Sequence, residues 1–512
     1  MRMTRVIRTF LPAALFLAFC GALGMALMGA PRAQAQQLGS ISFPTSGSAA
    51  AQADFITGVK DLHNFQFDEA AEAFQKAQKT DPGFAMAYWG EAMSYNHPLW
   101  AQVDPDAAKK ALEKLAPTPE ARLAKANTPK EKAYLSAVHT LFYTPGDKLA
   151  RDTAYMQAMA RMYEQWPEDH EVATLYALSL LGTVRPGDTG FRRQALAAAI
   201  SMNVFQQNPN HPAAPHFIIH AFDDPEHAIL ALPAARAYAK IAPAAAHALH
   251  MPSHIFVQLG MWQDLYNSNT VAYKAAVDLN QRMHLPEGRE DFHTLAWLQY
   301  ANLMLGKFDE AGRNTELASA ADARNPNNRA VHDGYRTMRA RYILETGQWE
   351  KIPVPTEAAT DARGSAWAFI AGLGAAKLGD AATADQAAAQ LGVTRERLQA
   401  GGNGFAAKQV AIMEKEVAAA SRLARGQKDE ALRLAKDAAD LELTLGAPSG
   451  PPEPIKPALE FYGDVLAEAG RAPEAAAAYE QQLLRTPNRT PVVKALARVK
   501  GHPAMTTMAA PR

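Results

Sequence analysis

Residues 51–84 read AQADFITGVKDLHNFQFDEAAEAFQKAQKTDPGF, and this stretch decides the fold. Gly58, Ala70 and Ala77 are small residues within it, and Pro82 lies near its end. The run FDEA opens a second helix of the stretch. Five related runs, each a short turn and the start of a helix, recur downstream: GKFDEA (306–311), GQWEK (347–351), GDAATA (379–384), GQKDEA (426–431) and GRAPEA (470–475). Recurrence of one such unit predicts a repeat protein built from helix pairs.

The 34-residue frame of this stretch resembles the tetratricopeptide repeat. That repeat has small residues at positions 8, 20 and 27 because its paired helices cross closely there. Gly58, Ala70 and Ala77 occupy those three positions, and the resemblance covers most of residues 50–500. It implies an all-α fold, an α-solenoid of roughly ten to eleven helix pairs that stack into a curved superhelix around a concave groove.

The N-terminus is typical of a cleavable secretory signal. Arg2, Arg5 and Arg8 precede an apolar run over 10–30, and an A-x-A cleavage site follows at 33–35. The run approaches the length of a bilayer span, so an uncleaved anchor is the alternative, which the glycines inside the run disfavour. We expect a Sec-type signal, a periplasmic or secreted bacterial protein, and no membrane attachment after cleavage.

These features predict the organisation of the whole chain. It comprises a signal peptide (1–35), a flexible segment (36–50), N-terminal and central repeats with a histidine-rich groove (51–279), C-terminal repeats (292–500) and a flexible tail (501–512). Polar or Pro/Gly-rich insertions interrupt the frame and predict loops at 117–129, 184–190, 280–291, 350–364 and 445–455.

Charge and cysteine content exclude several classes of partner and site. The chain has 52 basic and 52 acidic residues, so it offers no net charge to attract nucleic acid or an anionic membrane. Its one cysteine, Cys20, lies inside the signal segment. The mature chain is therefore expected to have neither a disulfide nor a thiolate metal ligand.

Two HxxxH pairs stand 34 residues apart. HFIIH carries His216 and His220, and HMPSH carries His250 and His254. Residues four apart lie on one face of a helix, and a shift of one repeat copies that face onto the next unit. We therefore expect the four imidazoles to form one patch on neighbouring helices, although Pro252 interrupts the second pair and leaves the phase of its helix less defined.

The resemblance also assigns other candidates to the concave groove. In the tetratricopeptide family, positions 2, 5, 9, 12 and 13 line that groove, and the four paired histidines fall at positions 5 and 9. The further candidates are His247 and His293 at position 2, Tyr300 at position 9, Asp223 at position 12, and His63 and His97 at position 13. His63 and His97 form a second candidate pair, and spacing leaves open whether it reaches the central cluster. Other histidines, including His211, are interpreted as surface or satisfied core residues.

A histidine cluster of this kind supports two functional hypotheses. Imidazole is the commonest metal ligand among side chains, and it suits zinc, copper and iron, in one site or two. We therefore expect a transition metal in the groove, with Asp223 as a ligand or as a residue that orients one, and binding that weakens below about pH 6. No recognised catalytic signature identifies a reaction or a catalytic residue. The alternative is a peptide- or protein-binding scaffold without metal, and a purely structural histidine cluster is a third possibility.

Overall fold

The computed structural model describes residues 37–501 except 186, 187 and 189. The predicted signal peptide, and the predicted tail beyond Gly501, lie outside these residues. The described chain is an all-α solenoid, which confirms the predicted fold class. None of its described helices is long and apolar enough to cross a bilayer.

Helix hairpins succeed one another along the N-terminal half of the solenoid. They are α1 (Ala49–His63) with α2 (Phe67–Thr80), α3 (Ala85–Met93) with α4 (Pro105–Leu115), α6 (Pro129–Tyr143) with α7 (Lys148–Gln165), α8 (His170–Gly182) with α9 (Arg192–Gln207), and α10 (Ala213–Ala221) with α11 (Ala228–Ile241), while α5 (Pro119–Leu123) stands alone. A short antiparallel pair, β1 (Asn96–His97) and β2 (Gln102–Val103), flanks a 3-10 turn between α3 and α4.

The C-terminal half continues the pattern. Its members are α12 (Ala246–His250) and α13 (Pro252–Gln258) with α14 (Trp262–Met283), α15 (Glu290–Met304) with α16 (Phe308–Arg324), the single α17 (Arg329–Thr346), α18 (Ala366–Lys377) with α19 (Ala381–Ala400), α20 (Gly404–Ala424) with α21 (Lys428–Glu442), α22 (Ala458–Glu468) with α23 (Ala472–Arg485), and the terminal α24 (Thr490–Val499). The described residues thus form ten hairpins, in agreement with the expected ten to eleven.

The first hairpin shows why small residues recur in the frame. A side-chain carbon at Gly58 would stand 2.8 Å from the ring of Phe74, and one at Gly90 would stand 2.3 Å from the same ring. Ala70 and Ala77 have no exposed surface. The helices therefore approach most closely where the frame places small residues, because any larger side chain would collide with the neighbouring helix.

Four of the five downstream turn–helix runs open the second helix of a hairpin, as predicted, at α16, α19, α21 and α23. The exception is GQWEK, where Gly347 ends α17 but no helix begins before Ala366. The prediction of a second helix was wrong there. Pro353 and Pro355 lack backbone donors and disfavour helical geometry in the residues before them, so the segment stays irregular.

The segment before the first helix was predicted to be flexible, and the structure corrects this. Leu38 and Phe43 are only 2% and 3% exposed. The ring of Phe43 packs against Phe55 and Tyr134 with centroids 5.3 and 5.2 Å apart, and Ser40 donates its backbone N–H to the carbonyl of Asn210. Burial of two large apolar side chains explains why this otherwise polar segment is packed against the solenoid.

The concave side of the central repeats is covered by the end of the chain, so it is not the open groove that the sequence predicts. Arg489, at the start of α24, is fully buried and pairs with Glu345 and Glu460, each at 2.5 Å. Its guanidinium also donates to the hydroxyl of Tyr300 at 3.3 Å. Tyr300, which was expected to line the groove, is therefore buried at 1% exposure.

A second segment, the loop 445–457 between α21 and α22, also reaches the central repeats. The carbonyl of Pro448 accepts a hydrogen bond of 2.8 Å from Gln258 on α13. Gly450 lies against Trp297 on α15, where a side-chain carbon would stand 2.6 Å from the indole. The loop was predicted as an insertion, but its packing over the histidine-bearing helices could not be read from its composition.

Candidate metal centre

Six histidines converge from four neighbouring helices in the middle of the solenoid. Pro252 separates α12 from α13, as the sequence predicts for a proline inside a repeat helix. The break lets this part of the chain present histidines from both segments. The six are His216 and His220 on α10, His247 and His250 on α12, His254 on α13, and His293 on α15.

Three of them form the first triad: His216, His220 and His247. The Nε2 atom of His216 lies 3.1 Å from Nε2 of His220 and 3.2 Å from Nε2 of His247. All three ligand atoms lie within 4.8 Å of one another. His247, whose position was the less certain from sequence, thus completes the HxxxH pair of α10.

The second triad contains His250, His254 and His293. Nε2 of His250 lies 3.3 Å from Nε2 of His254 and 2.9 Å from Nε2 of His293. The two triads adjoin, since the ring centroids of His220 and His254 are 6.0 Å apart. The sequence predicted one patch of four histidines, whereas the structure divides six of them into two groups of three.

Hydrogen bonds on the outer ring nitrogens fix the tautomers of His216 and His250. Nδ1 of His216 lies 2.7 Å from the backbone carbonyl of His63. Nδ1 of His250 lies 2.8 Å from Oδ1 of Asn269, whose amide nitrogen donates to the carbonyl of Leu265. A carbonyl oxygen only accepts, so both histidines carry hydrogen on Nδ1. Their Nε2 lone pairs therefore point into the triads.

Carboxylates hold one further histidine of each triad in the same way. Nδ1 of His254 lies 2.7 Å from Oδ2 of Asp223, whose other oxygen accepts from Gln258 at 3.2 Å. Nδ1 of His247 lies 3.5 Å from Oε1 of Glu290. Asp223, predicted as either ligand or orienting residue, is placed as an orienting residue. Such outer partners fix the ring and raise the basicity of a metal-binding nitrogen.

The geometry of the inner nitrogens matches that of a metal-binding site. Where two Nδ1–H tautomers face each other, as in His250 and His254, two lone pairs meet at 3.3 Å without a proton between them. This is unfavourable unless a cation lies among the nitrogens. Ligands at about 2.0–2.1 Å from a tetrahedral ion are themselves about 3.3 Å apart, which is close to the spacing in both triads.

Burial keeps these imidazoles neutral, as metal ligands must be. Desolvation, followed by the neighbouring imidazoles, lowers the pKa of His216, His220 and His250 well below the usual value. Desolvation also lowers the pKa of His293 to about 4. Burial works against the charged form of Glu290, but His247 and the other imidazoles outweigh it and hold the pKa of Glu290 below its usual value.

Each triad has its own aromatic cover. Phe65, in the turn between α1 and α2, stacks on His247 and His220 with centroids 5.4 and 5.7 Å away. Trp297, one turn beyond His293 on α15, lies 4.6 Å from the ring of His254. These rings surround the triads with low-dielectric material, which strengthens electrostatic interactions inside them.

A cavity of about 660 Å³ adjoins the second triad. Of the six histidines, His254 and His293 line it, together with Trp297, Phe292 and residues of the loop 445–457. The first triad contributes no histidine to its wall. The second triad is therefore the one that a small molecule in the cavity could reach.

His63 and His97, the second candidate pair, do not join the two triads. The side chain of His63 is 1% exposed, and its Nε2 lies 2.7 Å from Glu171. His97 stacks on Phe67 with centroids 3.9 Å apart, and its Nε2 lies 3.2 Å from the carbonyl of Ser94. Position 13 of the frame is thus directed into the interior here, because neighbouring hairpins cover the face that an open groove would expose.

His63 and His211 instead share the carboxylate of Glu171, and all three residues are buried. Within the described residues neither Nδ1 atom has a hydrogen-bond partner. A metal on the two Nε2 atoms would leave both Nδ1–H groups buried and unpaired, at about 1–3 kcal/mol each. We therefore interpret the cluster as two Nε2–H donors on one carboxylate; burial opposes ionisation of Glu171, but the two histidines lower its pKa to about 2. This holds His63, whose carbonyl orients His216.

Sequence reasoning missed several residues of this centre: Glu290, Asn269, Glu171, Phe65 and Trp297. Glu290 and Trp297 stand three residues before and four residues after His293, so a search of its helix face could have found them. Asn269 and Phe65 lie on other hairpins and carry no local signal. Glu171 stood beside a histidine that was interpreted as a satisfied surface or core residue.

No family model matches the chain, and no curated protein matches it. Among solved structures it is similar to three helical-repeat proteins. These are the TPR domain of P58(IPK) (12% identity over 88% of this chain and 98% of that one, TM-score 0.24), yeast Tom70 (13%, 88% and 95%, TM-score 0.35) and a Rap protein complexed with the Competence and Sporulation Factor (12%, 77% and 100%, TM-score 0.33). Likeness at this level carries no conclusion about function, and the repeat-type fold rests on the hairpins themselves.

Proposed function

We propose that this protein binds two transition-metal ions, one in each histidine triad, and presents the second to the adjoining cavity. The observation that carries the proposal is the orientation of the rings. In both triads the Nδ1 atoms are engaged by carbonyl or carboxylate oxygens, while three Nε2 atoms converge. A hydrogen-bonded histidine cluster has no need of this arrangement, whereas a metal site requires it.

The donor set favours copper, with zinc second. Six neutral imidazoles without a thiolate or an inner carboxylate suit copper and zinc, and copper binds nitrogen sites most tightly among the divalent ions. Iron sites of the comparable kind use a carboxylate beside two histidines, and here Asp223 and Glu290 are engaged from outside. Three protein ligands leave one coordination position for water or substrate.

Metal content tests this proposal. The untagged protein, purified without chelator after expression with its own signal, should contain about two equivalents of copper or zinc by mass spectrometry. The surface variant His332→Ala, which removes a histidine outside the triads, should contain the same amount. Less than half an equivalent in protein exposed to both metals would overturn the proposal.

The alternative, a peptide- or protein-binding scaffold, is less well supported by this geometry. The end of the chain covers the concave side of the central repeats through Arg489 and the loop 445–457. A peptide would therefore need another surface of the solenoid. We keep the scaffold as the second candidate function because helical repeats commonly bind proteins.

We also propose that the protein is exported after removal of residues 1–35. The support is the Arg-flanked apolar run followed by an A-x-A site. N-terminal sequencing of the protein from the periplasmic fraction should begin at Gln36. An intact N-terminus in the membrane fraction would show that the run is an anchor.

A further inference from the structure

The cavity beside the second triad is lined by four arginines: Arg289, Arg341, Arg363 and Arg485. Two of them have carboxylate partners, since Arg289 pairs with Asp68 and Arg363 with Glu453. Arg341 and Arg485 have no carboxylate within salt-bridge distance among the described residues. Their positive charges are therefore the ones that the protein leaves uncompensated at this wall.

Arg341 is the more unusual of these two arginines. It is 3% exposed, yet its guanidinium makes one hydrogen bond, a 3.2 Å contact from Nη2 to the carbonyl of Pro452. Its Nε atom is buried without a partner in the described structure. The ring of Tyr300 faces the guanidinium at 5.6 Å. A guanidinium has five donors, and a buried charge that lacks a partner is costly. Desolvation correspondingly lowers the pKa of Arg341.

The acidic residues of the same wall do not supply that partner. Asp333 pairs with Arg329, and Glu453 pairs with Arg363. Asp361 accepts from the backbone of its own loop. Glu442, the fourth acidic residue in the wall, accepts two backbone N–H groups, and burial raises its pKa.

We infer that the cavity binds an organic carboxylate, with Arg341 holding the carboxylate and Phe292 and Trp297 flanking the apolar part of the ligand. Arg341 presents a planar set of donors that suits a carboxylate. The volume, about 660 Å³, is in the range of small-molecule sites. His254 and His293 share this wall, so the inference deepens the proposed function by naming the ligand class that meets the second metal, although recognition of the anion does not depend on metal.

Benzoate and its neutral analogue benzamide distinguish charge recognition from simple filling of an apolar cavity. Calorimetric titration of the metal-free full-length protein should show benzoate binding at least about tenfold more tightly than benzamide, because a charge-assisted hydrogen bond is lost with the amide. Inorganic phosphate should bind more weakly than benzoate, because it makes no use of the aromatic wall. Equal binding of benzoate and benzamide, no binding of benzoate, or phosphate binding as tightly as benzoate would each overturn the inference.

Arginine variants assign the recognition to one side chain. Arg341→Gln should abolish the preference for benzoate, Arg341→Lys should keep most of it, and Arg289→Gln should leave it unchanged while removing the same charge from the same cavity. Circular dichroism checks that each variant is folded; if Arg341→Gln unfolds, the wild-type preference and Arg341→Lys still decide the question. A folded Arg341→Gln that retains the preference would overturn the assignment. Since metal-free protein is used, failure of the two-metal proposal leaves this test intact.

Discussion

The two triads have the same ligands and different surroundings. Each takes an HxxxH pair and adds a third histidine from a neighbouring segment, and the pairs are one repeat apart. The first triad lies under Phe65, which packs on its rings. The second triad contributes His254 and His293 to the wall of the cavity. The repeat therefore duplicates the ligand set, while the hairpins that pack over it decide which ion is accessible.

This difference implies a division of roles. An ion in the first triad would be held by buried rings with no path through the cavity, whereas an ion in the second would have its remaining coordination position available to a ligand. We expect the first ion to be retained more firmly and the second to exchange, bind ligands and carry any chemistry. The following predictions are ordered from the largest expected effect to the smallest.

Removing one buried ligand should abolish one site and spare the other. His216→Ala should lose the first ion and His250→Ala the second, so each should bind one equivalent of copper where the wild type binds two. The affinity of the damaged site should fall by about 100-fold or more, beyond the loss seen for an outer partner. Competition titrations with a chromogenic chelator measure both quantities, with His332→Ala as the control. Two full-affinity sites in either variant would refute the assignment of the triads.

The outer carboxylates should act on one triad each. Asp223→Asn should weaken the second site by about 10- to 100-fold, because the amide supports the imidazole of His254 less well than a carboxylate does. Glu290→Gln should have a smaller effect, on the first site, because its contact with His247 is longer, 3.5 Å against 2.7 Å. The same titration applied to both variants measures this order. Equal weakening of both sites by Asp223→Asn would show that the triads are not independent.

Acid should destabilise the metal-free protein through these histidines. Their pKa values are lower in the folded protein than the unfolded value of about 6.5, so the unfolded chain binds more protons and the free energy of unfolding falls as pH decreases below 6.5. For His293 the loss runs down to its folded pKa of about 4. Each such histidine contributes about 1.4 kcal/mol per pH unit within its window.

Denaturant unfolding between pH 7 and 5 measures this slope against the variant His220→Ala/His293→Ala, which should be less sensitive to pH. The comparison with the variant is necessary because burial raises the pKa of Asp61 and Glu416, which contribute a slope of the opposite sign. Identical slopes for the two proteins would contradict the neutral, buried state of the rings. The same lowered pKa values sharpen the expectation for metal binding, whose loss should occur below pH 6 rather than near it.

Opening the cover of the first triad should have the smallest effect, and a kinetic one. Phe65→Ala should accelerate removal of the first ion by a chelator several-fold, since it exposes His220 and His247, while leaving the second ion unchanged. Stopped-flow chelation separates the two ions as two phases. If the slow phase is unaffected by Phe65→Ala, the cover does not control access.

Much of this account could be predicted from the sequence, because the 34-residue repeat is local information. The repeat fixed the hairpins, the equivalence of the two HxxxH pairs, and the proximity of His247 and His293 to them. It could not predict that Arg489 and the loop 445–457 cover the groove, because these contacts join residues from distant repeats. The same reason explains the misplacement of His63, His97 and Tyr300, whose frame positions are exposed only when the groove is open.

Anomalous diffraction from crystals of the untagged, copper-loaded protein is the most direct test of the central claim. The account predicts two peaks at the copper absorption edge, one in each triad and each about 2.0–2.1 Å from three Nε2 atoms. It also predicts that Asp223 and Glu290 remain on the Nδ1 side of their histidines. Absence of both peaks from the triads, or an ion held by Asp223 in place of the Nε2 atoms, would contradict it.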